Sequence, residues 1–257
     1  VTTELSESAP PQRTSKGWLR RLLGFAGTAM GLSGCTFAFE NNRGVTTQAH
    51  TTFHLFVGFD IAALAVGAFV WGLIFWCALS YRRKHPGHFP KQTREHRGME
   101  IAYTITPLII VVGLFAVTIV SENKVDKVIP KPQVKLNVTA FQWGWKFDYP
   151  TAGRTAEVVT DPDHFGTIEL PVGETTQIRL VSADVVHSFL VSEFNFSRYA
   201  QPGVTNYFDI TPTQTGTFIG RCDFFCGLHH DLMVFHVKVV SQQQYQQWVQ
   251  STAGAVA

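Results

Sequence analysis

Between residues 222 and 233 the chain reads Cys222-Asp223-Phe224-Phe225-Cys226-Gly227-Leu228-His229-His230-Asp231-Leu232-Met233. Two thiols, two imidazoles and a thioether at this density suit copper, zinc or iron rather than magnesium or calcium, which prefer oxygen donors. Cys226 stands four after Cys222, His230 four after Cys226, and Met233 three further on. A further imidazole, His187, lies upstream in Asp184-Val185-Val186-His187-Ser188-Phe189. A single-copper site of the blue type needs one thiolate, two imidazoles and a weak thioether. This chain supplies a second thiolate. Two thiolates can bridge two copper ions with one imidazole for each, leaving Met233 and a backbone carbonyl to complete the ends. Zinc on two thiolates and two imidazoles, a Cys222–Cys226 disulfide, and a pair of plain buried thiols are the alternatives. A Met at ligand spacing and a Cys pair four apart favour copper. The four-residue step selects His230 over His229. His236 and His164 read as ordinary surface or core residues.

Such a loop needs a scaffold, and the stretch around it reads as β structure. Val134–Ala140 alternates apolar and polar residues, as a half-buried strand does. Short β-like runs recur at 167–170, 176–181, 188–191, 207–210, 216–220 and 234–240, separated by turn residues such as Pro171-Val172-Gly173 and Gln201-Pro202-Gly203. This rhythm over about 110 residues predicts a sandwich or barrel. A short helix is expected after Ser241.

Upstream the character changes. Leu55–Leu79 carries one charge, Asp60, and Ile101–Val120 is a second apolar run containing Pro107. Each matches the ~20 residues of a helical membrane span. Between them, residues 82–97 hold Arg82, Arg83, Lys84, Lys91, Arg94 and Arg97 against Glu95 alone, which marks an inner-face loop. The expected topology is outside, in, outside. Residues 1–34 join a basic start (Arg13, Lys16, Arg20, Arg21) to a short apolar run and Leu32-Ser33-Gly34 before Cys35. This pattern predicts a secretory signal. Cysteine directly after small residues resembles a bacterial lipoprotein processing site, with Cys35 as the lipidated residue. The expected division is a signal at 1–34, an outer linker at 35–52, the hairpin at 53–122, the metal-binding β domain at 123–240 and a tail at 241–257. The formal net charge of +2 argues against bulk-charge binding of nucleic acid. From Asn123 onward, ten Lys and Arg face twelve Asp and Glu, so the β domain is slightly acidic.

These residues resemble subunit II of cytochrome c oxidase, the haem–copper terminal oxidase. The likeness covers about residues 50–240, and the first 35 residues resemble its bacterial members. It implies a two-helix transmembrane hairpin plus an all-β cupredoxin-like sandwich domain bearing the dinuclear CuA centre. It also implies that His187, Cys222, Cys226, His230 and Met233 bind copper by side chain and Phe224 by its backbone carbonyl. Trp143, in Phe141-Gln142-Trp143-Gly144-Trp145, matches the residue that takes the electron from cytochrome c. The implied setting is a bacterial cell membrane, beside lipid, oxidase subunit I with haem and copper, and subunit III. Electrons would pass to haem in subunit I, where oxygen is reduced and protons are pumped. One departure stands out. The family carries Glu at the position of Phe224, where its carboxylate reaches magnesium or manganese, and this chain has no carboxylate there. The magnesium site is therefore expected to be absent or held by subunit I alone. The Cys-x-x-Cys-His signature of an attached haem does not occur, which argues against a fused cytochrome domain.

Overall fold

The computed structural model describes residues 43–82, 93–150, 152–159 and 165–251. The expected signal, Cys35, most of the basic loop and His164 lie outside them. Two long helices come first, α1 (Thr47–Ser80) and α2 (Arg97–Val125), packed as a hairpin. Both are long and apolar enough to cross a membrane, and of their residues only Ala49 is buried. Faces this apolar are stable only against lipid or other membrane helices. Helix α1 begins eight residues before the apolar run, inside the stretch expected to be linker. The reason is local and tertiary at once. The Thr46 hydroxyl accepts from the Ala49 N–H as an N-cap, and Thr46 itself is fully buried against Pro212. Pro107 sits inside α2 without ending it.

Ten strands follow among the described residues: β1 (Val134–Phe141), β2 (Gly144–Tyr149), β3 (Arg154–Val159), β4 (Thr167–Pro171), β5 (Thr176–Ser182), β6 (His187–Val191), β7 (Phe196–Ala200), β8 (Asn206–Ile210), β9 (Gly216–Cys222) and β10 (Val234–Val240). They form two five-stranded sheets, ordered β3-β2-β1-β5-β8 and β4-β10-β9-β6-β7. The pairs β1–β5 and β4–β10 are parallel and the others antiparallel. The sequence rhythm missed β2, β3 and β7. β2 alternates cleanly, with Trp145, Phe147 and Tyr149 buried and Lys146 and Asp148 between them, whereas in β7 an outward Tyr199 and an inward-facing Arg198 break the apolar–polar pattern.

The core lies between the sheets. Trp145 and Phe147 of β2 meet Phe235 of β10 at ring-centroid distances of 5.3 and 5.1 Å, and Phe189 of β6 meets Phe235 at 5.2 Å. All four rings are at most 1% exposed, and burial of each contributes roughly 1.5–3 kcal/mol. Gly220 makes room for this cluster, because a Cβ there would lie 2.2 Å from the Phe235 ring. Helix α3 (Gln242–Gln250), opened by a Ser241–Gln244 capping box, closes one end with Trp248 against Tyr149 at 5.1 Å.

The hairpin and the sandwich meet at one strip. The Val45 N–H donates to the Glu193 carbonyl at 2.8 Å, Thr47 N–H to the Thr211 carbonyl at 3.1 Å, and Thr213 N–H to the Val45 carbonyl at 2.8 Å. Gln48 Oε1 accepts from Thr211 N–H at 3.1 Å. After α2, the Ile129 N–H donates to buried Asp209 at 2.7 Å, and Arg198 pairs with Asp126.

Candidate metal centre

The strands converge on the ligand loop from three directions. Strand β9 ends at Cys222 and β10 begins at Val234, so residues 223–233 are the connection between two paired core strands. The Met233 carbonyl closes this loop at its base, accepting from Cys222 N–H at 3.0 Å and from the buried Trp145 Nε1–H at 3.3 Å. Inside it, His230–Leu232 form a 3₁₀ turn that brings His230 and Met233 back towards Cys226. The register Phe189↔Cys222 continues as a bond from Asp223 N–H to the Ser188 carbonyl, which lays His187 alongside the loop. His187 opens β6, one residue ahead of the run expected at 188–191.

The donor atoms gather tightly. Cys222 Sγ lies 3.9 Å from Cys226 Sγ and 3.9 Å from His187 Nδ1. On the other side, Cys226 Sγ lies 3.6 Å from His230 Nδ1 and 3.4 Å from Met233 Sδ. The Phe224 carbonyl oxygen stands 3.2 Å from Cys222 Sγ. The sulfur–sulfur distance is far beyond a disulfide's ~2.05 Å, and both thiols are free. The structure thus brings together all six donors singled out in the sequence: two sulfurs in the middle, one imidazole beside each, a thioether and a carbonyl at the margins. His187, Cys222 and Cys226 are buried, with ligand atoms within 4.8 Å of one another. This soft donor set fits copper.

Charge at the site favours a cation. Burial pushes the Cys222 thiol up, but hydrogen bonding, first of all to His187, outweighs it and draws the value down to about 6. Burial and then the charge on Cys222 push Cys226 up to about 12. Such a pair releases one proton near neutrality and holds the second until a positive charge compensates it. Burial works against the imidazolium of His187, yet Cys222 and Asp184 together raise its value.

Three neighbours of the ligands gain roles that their spacing alone did not show. Asp184 Oδ1 lies 2.9 Å from His187 Nε2, the nitrogen that faces away from the sulfurs, while Oδ2 accepts from Gln142 N–H at 2.6 Å. Gln142 Nε2 donates to the Cys226 carbonyl at 2.8 Å. One carboxylate and one amide therefore tie the β1–β2 turn, with Trp143 on it, to the metal ligands. The Trp143 ring is half-buried, meets His229 edge-on at 4.9 Å and lies over Gly227. His229 is thus a neighbour of Trp143, and its order in the sequence gave no sign of this. The Phe224 ring packs edge-on against Tyr199 at 5.4 Å. His236 lies on β10, against Phe165.

Comparison with known proteins agrees with this architecture. The family profile described as "Cytochrome C oxidase subunit II, periplasmic domain" matches residues 159–240. The chain is 37% identical to a "Probable cytochrome c oxidase subunit 2" of Streptomyces avermitilis, across 86% of this chain and 82% of that one. It is 31% identical to a "Cytochrome c oxidase subunit 2" of Mycobacterium tuberculosis, across 93% and 85%. Among solved structures it is similar to the periplasmic domain of subunit II of cytochrome oxidase of Bradyrhizobium japonicum, at 26% identity and a TM-score of 0.45, covering 48% of this chain and 95% of that one. With its two apolar helices, its outward β-sandwich and this likeness along most of its length, the chain belongs to the cytochrome c oxidase subunit 2 family.

Proposed function

We propose that this chain receives electrons from cytochrome c at a dinuclear CuA centre and passes them towards haem in oxidase subunit I. The observation that supports the centre is the pair of thiols 3.9 Å apart with one imidazole beside each. In this reading His187, Cys222, Cys226, His230 and Met233 bind by side chain and Phe224 by its carbonyl. Cys222 and Cys226, with His187 and His230, would hold two copper ions, which would supply a one-electron acceptor that rearranges little on reduction.

The chain's own residues do the rest. Burial of His187, Cys222, Cys226 and Met233 excludes water from most of the donor set. Asp184 orients His187 through its outer nitrogen, as carboxylates commonly do for metal-bound imidazoles. Trp143 is the electron-input residue. It touches the ligand loop at Gly227 and at His229, the latter directly preceding ligand His230. Phe224 offers no carboxylate, so any magnesium at the boundary with subunit I is held by that subunit. Subunits I and III are the membrane partners, in a bacterial cell membrane. Residues 1–34 act as a lipoprotein signal, with Cys35 lipidated at the outer leaflet.

The test is purification of the intact oxidase with copper and haem counted per chain. Two coppers on this chain and the absorption of a mixed-valence copper pair are expected. Zinc in the site, or a single copper, would overturn the assignment. Replacing Trp143 by Ala should slow oxidation of cytochrome c and leave the copper absorption intact; an unchanged rate removes Trp143 from the pathway.

A further inference from the structure

A second site lies away from the sulfurs, in the cleft between the two membrane helices. A cavity of about 250 Å³ is lined by Thr51, His54 and Leu55 of α1 and by Val117, Ser121 and Lys124 of α2. The spacing places each trio on one face of its helix. None of the six is acidic. Lys124 and His54 can direct N–H groups into the cleft and Ser121 a hydroxyl, while Thr51 spends its own on the Thr47 carbonyl at 3.2 Å.

The cleft's position along the helices is informative. The apolar runs begin at Leu55 on α1 and end at Val120 on α2. Leu55 and Val117 therefore belong to the hydrocarbon layer, whereas Thr51, His54, Ser121 and Lys124 stand just outside it, at the level of lipid headgroups. Basic and hydroxyl groups sit above an apolar wall at a single cleft, and this arrangement matches a phospholipid with an anionic headgroup.

We propose that this cleft holds one anionic phospholipid of the outer leaflet, its phosphate between Lys124 and His54 and an acyl chain along Leu55 and Val117. Such a lipid would fill the gap between α1 and α2 close to where both helices join the sandwich.

The assembled oxidase, purified in mild detergent as wild type, Lys124→Glu and Lys124→Arg, would be extracted and its phospholipids counted per haem by mass spectrometry. Lys124→Glu is expected to lose one anionic phospholipid per complex and Lys124→Arg to keep it. Equal counts in all three overturn the proposal. A second measurement uses unaltered enzyme, so it does not depend on how the variants assemble. Wild-type oxidase in nanodiscs is photolabelled with headgroup-reactive phosphatidylglycerol or phosphatidylcholine. Adducts within residues 51–55 or 117–124 from phosphatidylglycerol alone are expected, undiminished by inorganic phosphate. Equal labelling by both lipids, or none because a neighbouring subunit fills the cleft, overturns the proposal. So does displacement by inorganic phosphate, which would mark a simple anion site.

Discussion

Gly227 offers a sharp test of how Trp143, the proposed electron-input residue, is held against the ligand loop. Its φ of +122° lies where side chains are rarely tolerated, and a Cβ there would stand 3.1 Å from Trp143 Cζ2, 3.2 Å from its Nε1 and 3.3 Å from Gln142 Nε2. In Gly227→Ala the backbone strain costs about 1–3 kcal/mol. Crowding against a packed ring adds a similar amount, about 1–3 kcal/mol, unless Trp143 moves. Trp143 is the part that yields, since its ring is half-buried while the sulfurs of Cys222, Cys226 and Met233 to either side of Gly227 in the chain are buried. The displacement would also pull Gln142 from the Cys226 carbonyl, a bond contributing about 0.5–1.5 kcal/mol. The expected result is an oxidase that binds copper and shows its absorption, loses that absorption at a lower temperature, and oxidises cytochrome c several-fold more slowly. Stopped-flow mixing with reduced cytochrome c, alongside thermal loss of the copper band, measures both effects. If rate and thermal midpoint both match wild type, the contact between Gly227 and Trp143 does not hold the input residue.

Three further outcomes are expected. Met233→Leu conserves volume and removes a weak donor, so copper should stay bound with a shifted midpoint potential and absorption; loss of all copper would show Met233 to be indispensable rather than weak. Asp184→Ala leaves His187 and the Gln142 N–H without their acceptor, so it should perturb the copper spectrum and slow donor oxidation, with Asp184→Asn intermediate; identical behaviour of both variants and wild type would dismiss the strap. Burial raises the carboxyl of Asp209 above its ordinary value, against opposing bonds from Ile129 and Gln177. An acid raised on folding is stabilising to the fold only while protonated, so stability falls as pH climbs from ~3.9 through the raised value and is level above it. Asp209→Asn keeps an acceptor for Ile129 and should flatten that slope, whereas Asp209→Ala should cost about 1–3 kcal/mol by urea unfolding; equal stability of the two would refute the reasoning.

The candidate donors were legible because four of the five side chains share one loop, where spacing is set by local turns. His187 needed the Asp-x-x-His-Ser run and the family likeness as well. The contacts around Trp143 were not legible. They depend on the β1–β2 turn folding over the other sheet's loop, and nothing in the order of residues fixes that approach. His229 illustrates the point, since the step that selects His230 in the sequence says nothing of its neighbour, which meets Trp143 only where the two loops come together. The first helix began early for the same reason. Thr46 caps it through a local bond to the Ala49 N–H, and its bridge to Pro212, distant in sequence, fixes where that cap sits.

Val45 and Thr47 are stitched to Glu193, Thr211 and Thr213, and Ile129 to Asp209, at the end of the sandwich opposite the ligand loop, while Arg198, which takes Asp126, stands beside Phe189, the register partner of Cys222. Strand β5 runs from that end to the other over seven residues, or about 23 Å at ~3.3 Å per residue. About that seat the sandwich would turn as a lever, with the Arg198–Asp126 pair as its brace. A tilt of about 5° in the membrane would swing the metal end by about 2 Å over that length. Electron transfer to a neighbouring subunit would then depend on how firmly the helices are seated.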